Sequence, residues 1–235
     1  MKVYGLIVAG GRGTRFGGPT PKQYLDLAGE PLLVRTLRVF EACPVIDTIV
    51  LAVPASDLPL VRESLLPAAH LTKKILLAAG GPSRQDSVFN GLASINEDES
   101  LVVIHDAVRP LVTCACIAAC VETARQHGAC TAAVPAMDTL KQATAAGTVE
   151  ATLPREKLWL AQTPQAFRTG LIRSAHERAR RQQIHGTDDA CLVEQMGTAV
   201  HLVPGSRRNF KITTEEDLAL AAALLEVRDT PVEER

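Results

Sequence analysis

Aromatic residues are scarce in this sequence of 235 residues: one Trp, two Tyr and five Phe. A surface that stacks the bases of single-stranded nucleic acid needs such rings, so that class is disfavoured. Neither charge is in surplus. Lys and Arg number 25 against 26 Asp and Glu, a formal net charge of −1. A near-neutral chain lacks the electrostatic footprint of a nucleic-acid or anionic-membrane binder. No apolar run approaches the roughly 18 to 20 residues that span a bilayer. The apolar start, Met1 to Gly10, has no basic leader and runs at once into glycines and arginines, so it does not read as a signal peptide. A cytoplasmic protein is expected, with neither nucleic acid nor membrane as partner. The six cysteines include no Cys-x-x-Cys pair, which removes the usual zinc spacing. They read as small apolar thiols in a reducing compartment. A G-x-S-x-G elbow and an H-E-x-x-H run are also missing, so serine-hydrolase and zinc-protease chemistry have no support.

What the sequence does have is aliphatic bulk, with 46% apolar residues, arranged as alternating strands and helices. Val3 to Val8, Thr48 to Val53, Lys74 to Ala78, Leu101 to Ile104 and Cys130 to Val134 are short continuous apolar runs, the mark of strands buried on both faces. Between them, helical spacing covers Pro31 to Ala42, Ser56 to Leu66, Ser83 to Ile95 and Thr113 to His127. This order predicts an α/β fold with a doubly wound, mostly parallel sheet. The period breaks after Pro135. Thr139 to Gln142 and Thr148 to Thr152 are short, Thr-rich segments and read as a protruding β-hairpin arm, which alone is marginal and needs a surface to pack on. Helices follow at Thr169 to Gln183 and at Asp188 to Met196, the latter capped by Thr187, and a strand at Ala199 to Val203. Thr213 with Glu216 reads as the capping box of a last helix. One domain spanning 1–235 is expected, with the arm at about 136–155.

After the first strand comes Ala9-Gly10-Gly11-Arg12-Gly13-Thr14-Arg15-Phe16-Gly17-Gly18-Pro19-Thr20-Pro21-Lys22. Its glycines let backbone N–H groups turn toward phosphate oxygens, and Arg12, Arg15 and Lys22 bring countercharge. The carboxyl end of a strand is where open α/β sheets bind ligands. Phe16 occupies the last glycine position of a dinucleotide fingerprint, and Pro19 the lysine position of a Walker loop, so the loop is neither. His105-Asp106-Ala107-Val108-Arg109-Pro110 follows another strand. A lone carboxylate such as Asp106 can hold Mg²⁺ whose other ligands are phosphate and water. Arg109 can fork onto a phosphate or pair with Asp106. His105 reads as a packed or hydrogen-bonded histidine. Gly80-Gly81-Pro82-Ser83-Arg84-Gln85-Asp86-Ser87 leads into a helix whose N-terminus suits an anion, and reads equally well as a capped turn. Arg207-Arg208-Asn209-Phe210-Lys211 is a basic knot whose default reading is a solvated charge run.

In combination these segments resemble the 2-C-methyl-D-erythritol 4-phosphate cytidylyltransferase family of isoprenoid precursor biosynthesis. The resemblance spans nearly the whole chain. It is carried by the glycine loop ending in Pro21-Lys22-Gln23-Tyr24-Leu25, by Gly80-Gly81 with Arg84, Asp86 and Ser87, and by His105 to Pro110. Asp138-Thr139-Leu140-Lys141, Gln162-Thr163-Pro164-Gln165, Thr187-Asp188 and Asn209-Phe210-Lys211-Ile212-Thr213 continue it. It implies a Rossmann-like nucleotidyltransferase that forms CDP-methylerythritol and pyrophosphate from CTP and an alditol phosphate with Mg²⁺. By the same resemblance, Arg15 and Lys22 would be catalytic, stabilising the transition state. Ala9, Gly10, Gly11, Gly13, Gly81 and Ser87 would hold CTP. Asp106, Arg109, Thr139, Arg155 and Lys211 would bind the alditol phosphate, with Asp106 also at the metal. The family's homodimer would interlock two arms and bring Thr139 and Arg155 to the neighbour's site. Rival readings are a ribitol 5-phosphate cytidylyltransferase and a non-catalytic nucleotide-binding module.

The local charge balance fits a small anionic ligand. Residues 1–38 hold six basic and two acidic side chains, a sum of +4, and the segment from Thr214 onward sums to −5. The neutral total conceals a basic pocket, proposed from Arg12, Arg15, Lys22, Arg109 and Lys211.

Overall fold

A computed structural model describes residues 1–10 and 20–229, leaving aside the side chains of 227–229. The strands are β1 (Val3–Val8), β2 (Asp26–Leu27), β3 (Glu30–Pro31), β4 (Thr48–Val53), β5 (Lys74–Ala79), β6 (Leu101–Asp106), β7 (Ala129–Pro135), β8 (Leu140–Ala143), β9 (Val149–Leu153), β10 (Trp159–Arg168) and β11 (His201–Pro204). The helices are α1 (Leu32–Ala42), α2 (Leu58–Leu60), α3 (Leu66–Ala69), α4 (Arg84–Leu92), α5 (Cys114–His127), α6 (Thr169–Arg181), α7 (Asp189–Glu194) and α8 (Glu215–Asp229).

Seven strands form the central sheet in the order β11-β7-β10-β6-β1-β4-β5. Strands β1, β4 and β6 are buried at every residue, as expected for strands covered on both faces. One face carries Leu33, Leu37 and Phe40 of α1 with Ile117, Cys120 and Ala124 of α5. The other carries Val88 and Leu92 of α4, Ile172 and Ala175 of α6, and Leu192 and Val193 of α7. The pairs β1–β4, β4–β5, β1–β6 and β7–β11 are parallel. The doubly wound, mostly parallel fold read from the sequence is therefore the fold observed.

Strand β10 departs from that reading. It enters antiparallel between β6 and β7, and its register shifts between Ala161 and Gln165. The segment Gln162-Thr163-Pro164-Gln165 shows neither an apolar run nor alternation. Its place in the sheet is fixed by side-chain hydrogen bonds instead. Thr131 Oγ1 donates to the Gln162 carbonyl, and Gln165 Nε2 donates to Thr131 Oγ1 at 3.0 Å. A proline in an interior strand is tolerated at such an irregularity.

The helix expected from Ser56 to Leu66 is present as one continuous helical run, a 3₁₀ turn (Ala55–Asp57), α2, a π turn (Val61–Leu65) and α3, with right-handed helical dihedrals kept at the Val61 and Leu66 junctions. Pro59 and Pro67 lie in the first turn of α2 and α3, where a missing N–H is tolerated. Two caps shift by one residue. Asp188, not Thr187, accepts from Cys191 N at the start of α7. Before α8, Thr214 Oγ1 accepts from Asp217 N, while Asp217 accepts from the N–H groups of Thr213 and Thr214. The arm is present as a separate two-stranded sheet, β8–β9.

Candidate active site

The carboxyl ends of β1, β4 and β6 meet on one edge of the sheet. Ala9 N donates to Ala52 O at 2.8 Å and Ala107 N to Val8 O at 3.0 Å, which ties the three strand ends together. The glycine-rich turn after β5 closes over them. Ser83 and Asp86 form a reciprocal capping box at the start of α4, and Gly81 N donates to Ser87 Oγ at 3.0 Å. Only glycine fits at two points here. A Cβ on Gly10 would lie 2.5 Å from Ser87 Oγ, and one on Gly81 would lie 2.3 Å from Asp86 Cβ. The structure thus gathers Ala9, Gly10, Gly81 and Ser87 at one edge of the sheet. Ser87 is fully buried, and its hydroxyl donates to Ser83 O at 2.9 Å while receiving Gly81 N–H. Its visible work is to shape the loop. Gly11, Arg12, Gly13 and Arg15 lie outside the described residues.

Two adjoining recesses open at this edge. The wider is lined by Pro21, Gln23, Pro54 to Asp57 and Gly80 to Arg84. The narrower is lined by Val8 to Gly10, Lys22, Gln23, Arg84, Asp106 to Val108 and Lys211. Gly10, Gln23 and Arg84 belong to both. Lys22 opens the 3₁₀ turn Lys22–Tyr24 behind Pro21.

Asp106, the last residue of β6, is the hub of the narrow recess. Its Oδ1 lies 2.9 Å from Arg84 Nε, its Oδ2 lies 2.9 Å from Lys211 Nζ, and Arg109 Nε stands 3.6 Å away. Burial alone would raise the carboxyl pKa. The charges of Arg84 and Lys211 overcome that and hold it well below the usual carboxylate range. Lys211 arrives from the loop after β11, which Asn209 pins by donating to Thr163 O at 2.7 Å and to Gln162 Oε1 at 3.3 Å. Arg109 Nη1 donates to Asn209 O at 2.7 Å. Of the basic knot, Arg207 and Arg208 are exposed as a solvated run would be, whereas Lys211 is drawn into the site.

His105 is fully buried and serves as scaffold, as its sequence context suggested. Thr163 Oγ1 and His105 Nδ1 are 2.9 Å apart, His105 Nε2 and Arg109 O are 3.1 Å apart, and Asp106 N donates to Thr163 Oγ1. A neutral ring with the proton on Nε2 satisfies all three contacts. Burial pushes its pKa down to about 4. The folded value lies below the unfolded value of about 6.5, so the unfolded chain binds the proton first as pH falls. This contribution is intact above about pH 6.5 and is lost between there and about pH 4, at a cost of up to about 3 kcal/mol. Urea unfolding at pH 7 and pH 4.5 measures it. The His105→Asn variant should lose less stability over that interval than the parent, and equal losses would refute the assignment.

Arg84, Asp189 and His176 were not singled out as site residues in the sequence. Arg84 bridges two carboxylates, Nε to Asp106 and Nη1 to Asp189 Oδ2 at 2.8 Å. Asp189 Oδ1 in turn lies 3.0 Å from His176 Nε2. The available signal was the doubled acid Asp188-Asp189: the first caps the helix, which leaves the second to point inward and require a cation. Thr139 and Arg155 lie together at the base of the arm, both exposed, with Arg155 Nη1 donating to the Met137 carbonyl. Among the described residues no hydrogen bond or ion pair joins either of them to the Asp106 cluster.

Comparison with known proteins gives one consistent result. The family model described as IspD, 2-C-methyl-D-erythritol 4-phosphate cytidylyltransferase, matches residues 3–227. The enzyme of that name from Syntrophus aciditrophicus is 47% identical over 95% of this chain and 96% of its own. The one from Geotalea uraniireducens is 47% identical over 96% and 97%. Among solved structures, 4-diphosphocytidyl-2C-methyl-D-erythritol synthase from Anaerococcus prevotii superposes with a TM-score of 0.83 at 29% identity, covering 96% of this chain and 98% of that one. The Francisella tularensis cytidylyltransferase gives 0.81 at 34% identity, covering 94% and 98%.

Proposed function

The chain belongs to the 2-C-methyl-D-erythritol 4-phosphate cytidylyltransferase family, and from that premise we propose how its residues divide the family's reaction. It is a nucleotidyltransferase that moves a cytidylyl group from CTP to 2-C-methyl-D-erythritol 4-phosphate, giving CDP-methylerythritol and pyrophosphate for isoprenoid synthesis. The observation that carries the division of labour is the Asp106 hub beside the Gly10–Gly81 cradle.

The attacking phosphate has a second pKa near 6 and is a nucleophile at neutral pH without a general base. The barrier is repulsion between that dianion and the triphosphate. Preorganised cations lower it most where charge grows, on the α-phosphoryl group and the leaving pyrophosphate. We assign that role to Lys22, with Arg15 of the glycine loop as its partner. Ala9, Gly10, Gly11, Gly13, Gly81 and Ser87 form the CTP cradle. Arg109 and Lys211 receive the alditol phosphate, and Asp106 holds both cations in place, leaving the cluster an excess of positive charge.

Mg²⁺ belongs to this proposal as the companion of CTP. The described residues do not fit a metal centre held by the protein. None form a group of three His, Cys, Asp or Glu, and both oxygens of Asp106 are already engaged by cations. Phosphate oxygens and water are the ligands that suit the ion here.

The arm supports a homodimer. Val149 and Leu153 of the two-stranded sheet are exposed, Val149 at 62%, and Met137, Trp159 and Leu160 beside its base are exposed as well. A two-stranded sheet with such a surface needs a cover. A second copy would supply it and would bring Thr139 and Arg155 to the neighbour's alditol phosphate. Among the described residues no helix is long and apolar enough to cross a membrane. The six cysteines are free thiols, which suits the cytoplasm as the setting we propose.

Pyrophosphate release tests the reading. CTP with methylerythritol phosphate should release it at least roughly tenfold faster than CTP with ribitol 5-phosphate, since a site built around substrate hydroxyls rejects the wrong pattern. The reverse ranking would make the chain a ribitol phosphate enzyme. No release with either, alongside retained CTP binding, would make it a nucleotide-binding module.

A further inference from the structure

Behind Asp106 lies a second layer of charge that the reaction as described leaves without a task. His176 of α6 is 0% exposed and Asp189 of α7 is 1% exposed. Asp189 is fixed at both ends. Its backbone N–H and that of Ala190 donate to Gln165 Oε1, each at 3.1 Å, and its two carboxylate oxygens face His176 Nε2 and Arg84 Nη1. A guanidinium gripped by two carboxylates, on Nε and on Nη1, has its plane set by both. Among the described residues its remaining nitrogen, Nη2, is buried with no hydrogen-bond partner, so of these residues only the two carboxylates orient the fork.

Such an arrangement is costly as pure packing. Buried ion pairs replaced by well-packed apolar groups are often neutral or even stabilising. Its worth is positional, because Arg84 takes Oδ1 of Asp106 and leaves Oδ2 to Lys211. We propose that His176 and Asp189 are positioning residues that set the Arg84 guanidinium and, through it, the rotamer of Asp106 that presents Lys211 and Arg109 to the substrate phosphate. The proposal rests on Asp106 belonging to the alditol phosphate side of the site.

A double-mutant cycle tests it, with each substrate varied in turn and the melting temperature of every variant recorded. His176→Leu and the isosteric Asp189→Asn should each lower kcat/KM for methylerythritol phosphate about tenfold, the scale of a small misplacement, with KM for CTP within about twofold. His176→Gln, which returns a donor near the Nε2 position, should recover most of the loss. In an Asp106→Asn background, Asp189→Asn should cost less than about twofold more, because the relay has lost its target. The same loss in that background as in the parent, an equal loss in both substrates' KM, or no loss at all would overturn the relay. If His176→Leu does not fold, the Asp189→Asn arm decides alone. An Asp106→Asn enzyme with full activity would instead refute the role of Asp106, and the relay with it.

Discussion

Replacing Lys22 by alanine is expected to lower kcat by roughly 10²- to 10³-fold, the scale for losing one preorganised charge-stabilising donor. Lys22 faces the recess that also holds Asp106 and Lys211, and its backbone is set by the 3₁₀ turn behind Pro21. Its ammonium is nominated for charge that grows during transfer, so the loss should fall on kcat more than on KM for either substrate. Arginine should rescue only part of it, because a planar fork and a point charge place their donors differently. Single-turnover quench kinetics on the folded variant, with CTP saturating, isolate the chemical step. An unchanged single-turnover rate would remove Lys22 from the chemistry.

Replacing Arg84 by leucine should produce the largest loss of stability. Two buried carboxylates would lose their shared cation together. Breaking a buried pair from one side costs about 3 to 5 kcal/mol. The Arg84 side chain retains 28% exposure, and Lys211 and His176 still touch the orphaned acids, so the low end, about 3 kcal/mol, is expected. For a chain of this size that lowers Tm by roughly 6 to 12 °C. The pH dependence has a definite sign. Burial opposes ionisation of Asp106 and Asp189, but Arg84 helps hold both below their ordinary value of 3.8. Their contribution is present above that value and is lost as pH falls through the lowered folded values. The gap between parent and variant should therefore be widest at neutral pH and shrink in acid. Thermal melts followed by circular dichroism at pH 7 and at about pH 3, below the unfolded carboxyl value, measure this. A Tm shift under about 2 °C at pH 7 would show that the bridge carries little stability.

The sheet was legible in the sequence because its parallel strands are continuous apolar runs. Val3 to Val8 and Thr48 to Val53 match the observed strands residue for residue. Strand β10 was not legible, since polar side chains fasten it from within the fold, and no local pattern records which carbonyl Thr131 will reach. The helix after β4 was legible from its apolar spacing, whereas the π turn Val61–Leu65 inside it has no local sequence signature. For the site, glycine and charge chemistry pointed to the strand ends where the structure gathers Gly10, Gly81 and Asp106, while the linkage among charges came only from tertiary packing. Asp106, Lys211 and Arg84 are scattered along the chain, and nothing local indicates that one carboxylate serves both cations.

Transfer of the α-phosphoryl label tests the central claim most directly. CTP labelled with ³²P at the α position is incubated with the enzyme, Mg²⁺ and methylerythritol phosphate, and the products are separated. The label should leave CTP and appear in CDP-methylerythritol, with unlabelled pyrophosphate formed in equal amount and with no transfer when methylerythritol phosphate is omitted. Label that stays in CTP, or that appears as CMP whether or not methylerythritol phosphate is present, would contradict the assignment.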